Sequence, residues 1–181
     1  MRVFETSLPG VLRIESPVLQ DARGFFTEVF HEAKFAALGL ATSFVQDNHS
    51  HSVRHSLRGA HYQLHAPQGK LVRSVTGVVF DVAIDVRRGS SHFGKWVGVT
   101  LSAGDGQQLW IPPGFAHAFL VLSAYADVSY KCTTTYHPES EQCIAWNDPS
   151  VAIEWPLHGA SPLLSPRDAH APRLADAAVF G

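Results

Sequence analysis

From about residue 45 onward the apolar runs of this chain are short, and Gly, Pro, Ser or Asn closes each of them. "SFVQDNHS", "HSLRGAHYQL", "KLVRSVTGVVFDVAIDVR", "KWVGVTL", "QQLWIPP", "HAFLVL", "ADVSYKCTTTY" and "CIAW" follow one another. Runs of that length, rich in β-branched and aromatic residues, predict strands. Many strands in succession with no long helix between them leave a sandwich or a barrel as the architecture. "VLRIE" (11–15) and "GFFTEVF" (24–30) add earlier strands. Only "HEAKFAALGL" (31–40) reads as a helix, with Phe35 and Leu38 on one face and Gly39 closing it.

The long run 70–87 predicts a hairpin turning at Thr76-Gly77. In its second arm Val78, Phe80, Val82, Ile84 and Val86 share one face, expected in a core. Val79, Asp81, Ala83 and Asp85 share the other, a mixed face suited to a cavity or a surface. A chain of 181 residues without repeat or linker predicts one domain over 1–181. From about 150 onward it is Pro- and Ala-rich, with short helical turns at best.

Several function classes are disfavoured at this level. A net charge of −2 argues against a general nucleic-acid binder. No stretch approaches the roughly 18 apolar residues of a membrane helix, and "MRVFETSLPGVLRIE" lacks a signal-peptide core. Cys132 and Cys143 are too few for a disulfide framework and are expected to be buried structural thiols. The expectation is a cytoplasmic protein with no membrane or nucleic-acid partner.

Eleven histidines raise the question of a metal. A mononuclear site needs about three or four converging ligands. His61 and His65 share strand parity but stand about 13 Å apart along an extended strand. Gln63 occupies the position a second ligand would need. No metal and no other cofactor is expected. His117 sits in an apolar strand just after a Pro-Pro-Gly turn, in "GQQLWIPPGFAH" (106–117). That spacing resembles the second motif of the cupin superfamily, in which a tight turn carries a histidine into a double-stranded β-helix, or jelly-roll, barrel. The metal-binding form of the motif continues to an Asn, and this chain has Val121 there.

A closer resemblance runs through "DARGFFTEVF", "FVQDNHSHS", "LRGAHYQ", "GKLVRSVTGVVFDVAIDVRRGS", "FGKW", "LWIPPGFAHAFLVLS", "YKCTTTYHPESE", "WNDPSVAIEWP" and "LSPRDA", in that order. From about residue 4 to 174 the chain resembles the dTDP-4-dehydrorhamnose 3,5-epimerase family of cupin dTDP-sugar epimerases. The resemblance implies a mainly β cupin barrel with a few short helices. The implied reaction inverts C3 and C5 of a 4-keto-6-deoxyhexose carried on dTDP, a step toward dTDP-L-rhamnose. Both carbons lie α to the C4 ketone, so each proton can leave as an enolate forms. Such a site needs a base on one face, an acid on the other and positive charge at the C4 oxygen. It needs no cofactor.

By resemblance, His61 is the base and Asp168 its carboxylate partner, which requires residues 150–181 to fold back over the barrel mouth. A buried carboxylate there fixes the imidazole tautomer and raises its basicity; the plain alternative is a helix cap. Lys70 is implied at the enolate, against a solvated lysine. Tyr130 is implied as the opposing acid, against a buried aromatic. Arg23 and Arg58 suit the diphosphate, since guanidinium forks match phosphate oxygens. Arg58 has opposite strand parity to His61, so its route to the diphosphate runs around the sheet edge. Phe26, Glu28, Gln46, Asn48, Tyr136, Glu141 and Arg167 are implied at the nucleotide. His117 is implied as a donor to phosphate or sugar, against a core histidine bonded to a backbone carbonyl. The family is homodimeric, and "GFFTEVF" is the candidate exchanged strand, bringing Arg23 to the partner's pocket. Two departures, Ala60 and Ala118, flank His61 and His117 and are expected to reshape the pocket. A mono-epimerase, a non-catalytic sugar-nucleotide-binding cupin and a metal-dependent cupin oxygenase remain the alternatives.

Overall fold

The computed structural model describes all 181 residues, Met1–Gly181. Along the chain the strands are β1 (Arg2–Glu5), β2 (Leu12–Glu15), β3 (Val18–Asp21), β4 (Gly24–Thr27), β5 (Gln46–Val53), β6 (Leu57–Gln63) and β7 (Lys70–Thr76). They continue as β8 (Val78–Asp85), β9 (Trp96–Ser102), β10 (Gln107–Ile111), β11 (Phe115–Val121), β12 (Tyr125–Cys132) and β13 (Glu141–Cys143). Helix α1 spans Glu32–Ala37 and α2 spans Pro166–Ala169. Strands β1 and β3 carry too little apolar pattern to have been read from the sequence.

Two sheets face each other. One has the order β1-β2-β10-β7-β12-β5, the other β13-β6-β11-β8-β9. This is the jelly-roll barrel that the resemblance implied. Between the sheets lie Val72, Val79, Ala83, Leu101, Leu109, Phe119, Val121 and Val128, all buried. Each such side chain taken out of water contributes roughly 1.5–3 kcal/mol.

The expected hairpin at Thr76-Gly77 does not form. β7 pairs with β10 and β12, whereas β8 pairs with β11 and β9. Thr76-Gly77 is instead a corner at which the chain leaves one sheet for the other. Gly77 has φ +71°, and a Cβ there would stand 2.1 Å from the Tyr125 carbonyl oxygen. The corner needs glycine because another backbone passes against it.

Both faces of β8 are buried, for different reasons. Val79, Asp81 and Ala83 face the barrel interior. Val82, Ile84 and Val86 lie on the outer side, in a cluster with Ala116, Ala118, Ile144, Val151, Leu174 and Ala177. The C-terminal segment therefore covers the outer face of the five-stranded sheet, and only a short part of it reaches the barrel mouth. That part is tied down by backbone hydrogen bonds from Leu57 to Leu163 and from Leu163 to His55.

On the other flank, Phe35 of α1 packs with Leu40, Ile14 and Leu71. The helix is shorter than 31–40, and Leu38 is exposed. Gly39 turns the chain at φ +70°. The amide of Leu40 then reaches back to the Phe35 carbonyl, so Leu40 takes the buried place expected of Leu38. No helix is long and apolar enough to cross a membrane.

Candidate active site

A cavity of about 380 Å³ opens between the two sheets. The five-stranded sheet contributes Leu57, Arg58, His61, His117 and Phe119. The six-stranded sheet contributes Ser50, Lys70 and Tyr130. The C-terminal segment closes one side with Leu163, Leu164, Ser165 and Asp168. Polar and charged side chains dominate the lining, with Leu57, Phe119, Leu163 and Leu164 as its apolar part, as suits a polar ligand.

His61 stands on β6, opposite His117 of β11 and Cys143 of β13. Its Nε2 lies 2.6 Å from Asp168 Oδ1. Asp168 is held by local structure. Ser165 caps α2 by accepting from the Asp168 amide at 3.1 Å. The cap aims the carboxylate at the barrel, where it is 3 % exposed. Burial pushes the Asp168 carboxyl up, but the His61 ring, the Ser165 hydroxyl and the Gly59 amide outweigh that and hold it below its ordinary value. Asp168 thus sits at the start of α2 and bonds His61 as well.

Arg58 shares the cavity wall with His61, which corrects the parity argument. Between the pairs Phe119↔Arg58 and His117↔His61 the strand β6 takes three steps and β11 two. This bulge at Gly59-Ala60 brings residues 58 and 61 to one face. Gly59 leaves room for it: a Cβ there would stand 2.4 Å from the His117 carbonyl oxygen. Arg58 Nε donates to Ser52 Oγ at 2.9 Å, which steadies the guanidinium at the rim.

On the facing wall Lys70 Nζ lies 5.8 Å from the centroid of the Tyr130 ring. Burial lowers the Lys70 ammonium below its ordinary value, with Cys132, Glu141 and Asp81 opposing. Burial raises the Tyr130 phenol. The pair supplies a positive charge and a protonated hydroxyl across the cavity from His61.

His117 is neither free nor bonded to a backbone carbonyl. Its Nε2 lies 2.9 and 3.1 Å from the two oxygens of Asp81. Sequence reasoning missed Asp81. The available signal was its inward parity in an otherwise apolar arm, where a lone carboxylate needs a partner.

Gln46, Asn48, Tyr136, Glu141 and Arg167 do not line this cavity but form a chain of bonds beside it. Gln46 Nε2 donates to Asn48 Oδ1 at 3.0 Å, and Gln46 Oε1 accepts from the Tyr136 amide at 2.7 Å. The Tyr136 hydroxyl donates to Glu141 at 2.7 Å, and Arg167 pairs with the same carboxylate. Asn48 Nδ2 reaches the sulfur of the buried Cys132 at 3.5 Å. Cys143 is only half-buried, and both thiols are free.

Arg23, Phe26 and Glu28 lie elsewhere. β3 and β4 form a separate two-stranded hairpin. Arg23 at its turn pairs with Asp21, and Glu28 just beyond it pairs with Lys34. Ala60 and Ala118 point away from the cavity, into the cluster beneath the C-terminal segment. The pocket reshaping expected of them has no contact to act through. No three His, Cys, Asp or Glu side chains are arranged to hold a metal ion. His49 and His51 instead share the carboxylate of Asp127 on the outer face.

Comparison with known proteins gives a consistent result. Residues 5–176 match the family model described as dTDP-4-dehydrorhamnose 3,5-epimerase. The dTDP-4-dehydrorhamnose 3,5-epimerase of Pseudomonas aeruginosa is 52% identical over 181 residues, 99% of either chain. The Escherichia coli protein of that name is 54% identical over 170 residues, 93% of this chain and 91% of its own. A solved structure of dTDP-6-deoxy-D-glucose-3,5-epimerase from Legionella pneumophila, in complex with dTDP-4-keto-L-rhamnose, superposes with a TM-score of 0.93. It is 51% identical, and the match covers 96% of this chain and 93% of that one.

Proposed function

Since this chain belongs to the dTDP-4-dehydrorhamnose 3,5-epimerase family, we propose that its barrel cavity is the active site and that the two walls divide the chemistry between them. The protein is an isomerase that converts dTDP-4-dehydro-6-deoxy-D-glucose to dTDP-4-dehydro-L-rhamnose, a step of dTDP-L-rhamnose biosynthesis.

One observation carries the assignment of roles. His61 with Asp168 stands on one wall, and Tyr130 with Lys70 stands on the other. A hexose between them presents one face to a base and the opposite face to an acid, which inversion requires. His61 removes the proton from the carbon α to the ketone, and Asp168 stabilises the imidazolium that results. Lys70 places its charge at the C4 oxygen as the enolate forms. Tyr130 returns a proton from the far side. His61 then releases its proton to solvent and Tyr130 regains one, and the same cycle at the second α carbon completes the product. Arg58 at the rim takes the diphosphate, and the Gln46–Asn48–Tyr136–Glu141–Arg167 chain beside it takes the nucleoside.

Deuterium incorporation tests this. The dTDP-4-keto-6-deoxyglucose substrate, incubated with the protein in D₂O and followed by NMR, is expected to gain deuterium at C3 and C5 and to invert both. Exchange at C3 alone would make the protein a mono-epimerase. Binding without exchange would reduce it to a binding module.

The β3–β4 hairpin completes the site of a partner subunit in a homodimer. Leu19, Phe25 and Phe26 are 64 %, 55 % and 67 % exposed on it, an apolar surface that association would cover. Arg23, Phe26 and Glu28 then reach the partner's nucleotide and not their own. Two free thiols suit the reducing cytoplasm as the place of action.

A further inference from the structure

Strand β5 turns Asn48, Ser50 and Ser52 toward the barrel interior. Two of the three have protein partners. Asn48 bonds Gln46 and Cys132, and Ser52 accepts from Arg58. The third does not: the hydroxyl oxygen of Ser50 is buried and has no hydrogen-bond partner. Only one other side-chain atom in the protein, Ser16 Oγ, is in that state. Buried polar groups are almost always paired, because an unmade bond costs the desolvation of the group. Ser50, unlike Ser16, lines the cavity that holds His61, Lys70 and Tyr130.

Its place along the strand says what it faces. Ser50 lies opposite Val128 of β12, diagonal to Tyr130, which lies opposite Asn48. Two residues further along the same face is Ser52, the anchor of Arg58. Ser50 therefore stands between the acid that serves the sugar carbons and the guanidinium that serves the diphosphate. A neutral hydroxyl that both donates and accepts matches a sugar hydroxyl. The diphosphate oxygens already face a charged donor.

We propose that Ser50 is a further substrate-contacting, specificity-determining residue, whose Oγ hydrogen-bonds a hydroxyl of the hexose. This rests on the function proposed above. An unpaired buried hydroxyl in the free protein is a small local instability held ready for the substrate. It favours a hydroxylated hexose over an analogue that leaves the bond unmade.

The test is Ser50→Ala, which removes one atom from the cavity wall. Titration calorimetry with dTDP and with dTDP-glucose separates the hexose contact from the rest. The expected result is a loss of about 3–10-fold in dTDP-glucose affinity and in kcat/KM, with dTDP affinity unchanged within about twofold. The unfolding midpoint of the free protein is expected to hold or rise, because an unpaired hydroxyl has been removed. Unchanged kcat/KM with unchanged dTDP-glucose affinity overturns the proposal, as does an equal loss for dTDP. Failure of the wild-type protein to turn over the keto sugar would count against the function itself. The two titrations would still read Ser50 in that case.

Discussion

His117 and Asp81 form a closed pair in the barrel interior: the imidazole Nε2 lies 2.9 Å from the nearer carboxylate oxygen, and Asp81 is 0 % exposed. The carboxylate accepts from Nε2 and so fixes the ring's orientation. Asp81 does not line the cavity and acts through His117, as a positioning residue. Asp81→Asn keeps the shape and removes the charge. It is expected to cost about 1.5–3 kcal/mol of stability, the range for a hydrogen bond to a charged group. A denaturant titration reads this directly. kcat is expected to fall by roughly tenfold or more while dTDP affinity changes little. A variant as stable and as active as the parent would show that the pair does nothing.

His61→Ala is expected to lower turnover by roughly 10²–10⁴-fold, the usual worth of a general base. Nucleotide binding should survive, because the rim network and Arg58 are untouched. Asp168→Asn leaves the imidazole in place without its counter-charge and should lie between the parent and His61→Ala. Full activity in the first variant would move the base to another residue.

Tyr130→Phe separates removal of a proton from its return. Deuterium exchange at the first carbon should be spared more than completed epimerisation. Equal loss of both, followed in one NMR time course, would remove the phenol from the acid role.

The alkaline side of the pH profile belongs to Lys70. Burial lowers its ammonium below the ordinary 10.5, while burial raises Tyr130 above the ordinary 10.0. Loss of the lysine's proton, moved to lower pH by burial, is expected to bring kcat/KM down on that side. Lys70→Arg carries a group that stays protonated throughout this range. Its alkaline limb is expected to move to higher pH, even if the peak rate drops. A limb that stays in place would belong to another group.

Mixed dimers test the exchanged hairpin. Arg23→Ala and His61→Ala subunits are each expected to be poorly active alone. If Arg23 serves the partner's cavity, a heterodimer contains one intact site and one doubly altered site. Random reassortment should then restore about a quarter of parental activity. No recovery, with heterodimers shown to form, would place Arg23 at its own subunit's site.

The barrel was legible because its strands are short β-branched and aromatic runs closed by turn residues, and the meeting of His61, Asp168, Lys70 and Tyr130 at one cavity was legible through ordered motifs that a single resemblance spans. What failed did so for local reasons. A Thr-Gly pair between two good strands looks the same whether the chain folds back or crosses to the facing sheet, and only the Tyr125 carbonyl against Gly77 decides it. Parity misplaced Arg58 because one bulge at Gly59-Ala60 reverses every inference across it. Ala60 and Ala118 were credited to the pocket through their neighbours in sequence, yet residues next to each other on a strand face opposite sides. Asp81 went unassigned because its partner lies 36 positions away.

The carboxylate that bonds His61 comes from position 168, after every strand of both large sheets. A nascent chain with all those strands translated has His61 in place and no counter-charge beside it. If Asp168 serves His61 as proposed, catalytic competence waits on a residue translated after both large sheets. The carboxylate is nonetheless tethered from both sides: Leu163 is bonded to His55 and Leu57 before α2, and Leu174, Ala177 and Phe180 hold the chain to the barrel after it, so a single cut before α2 would leave Asp168 at its post.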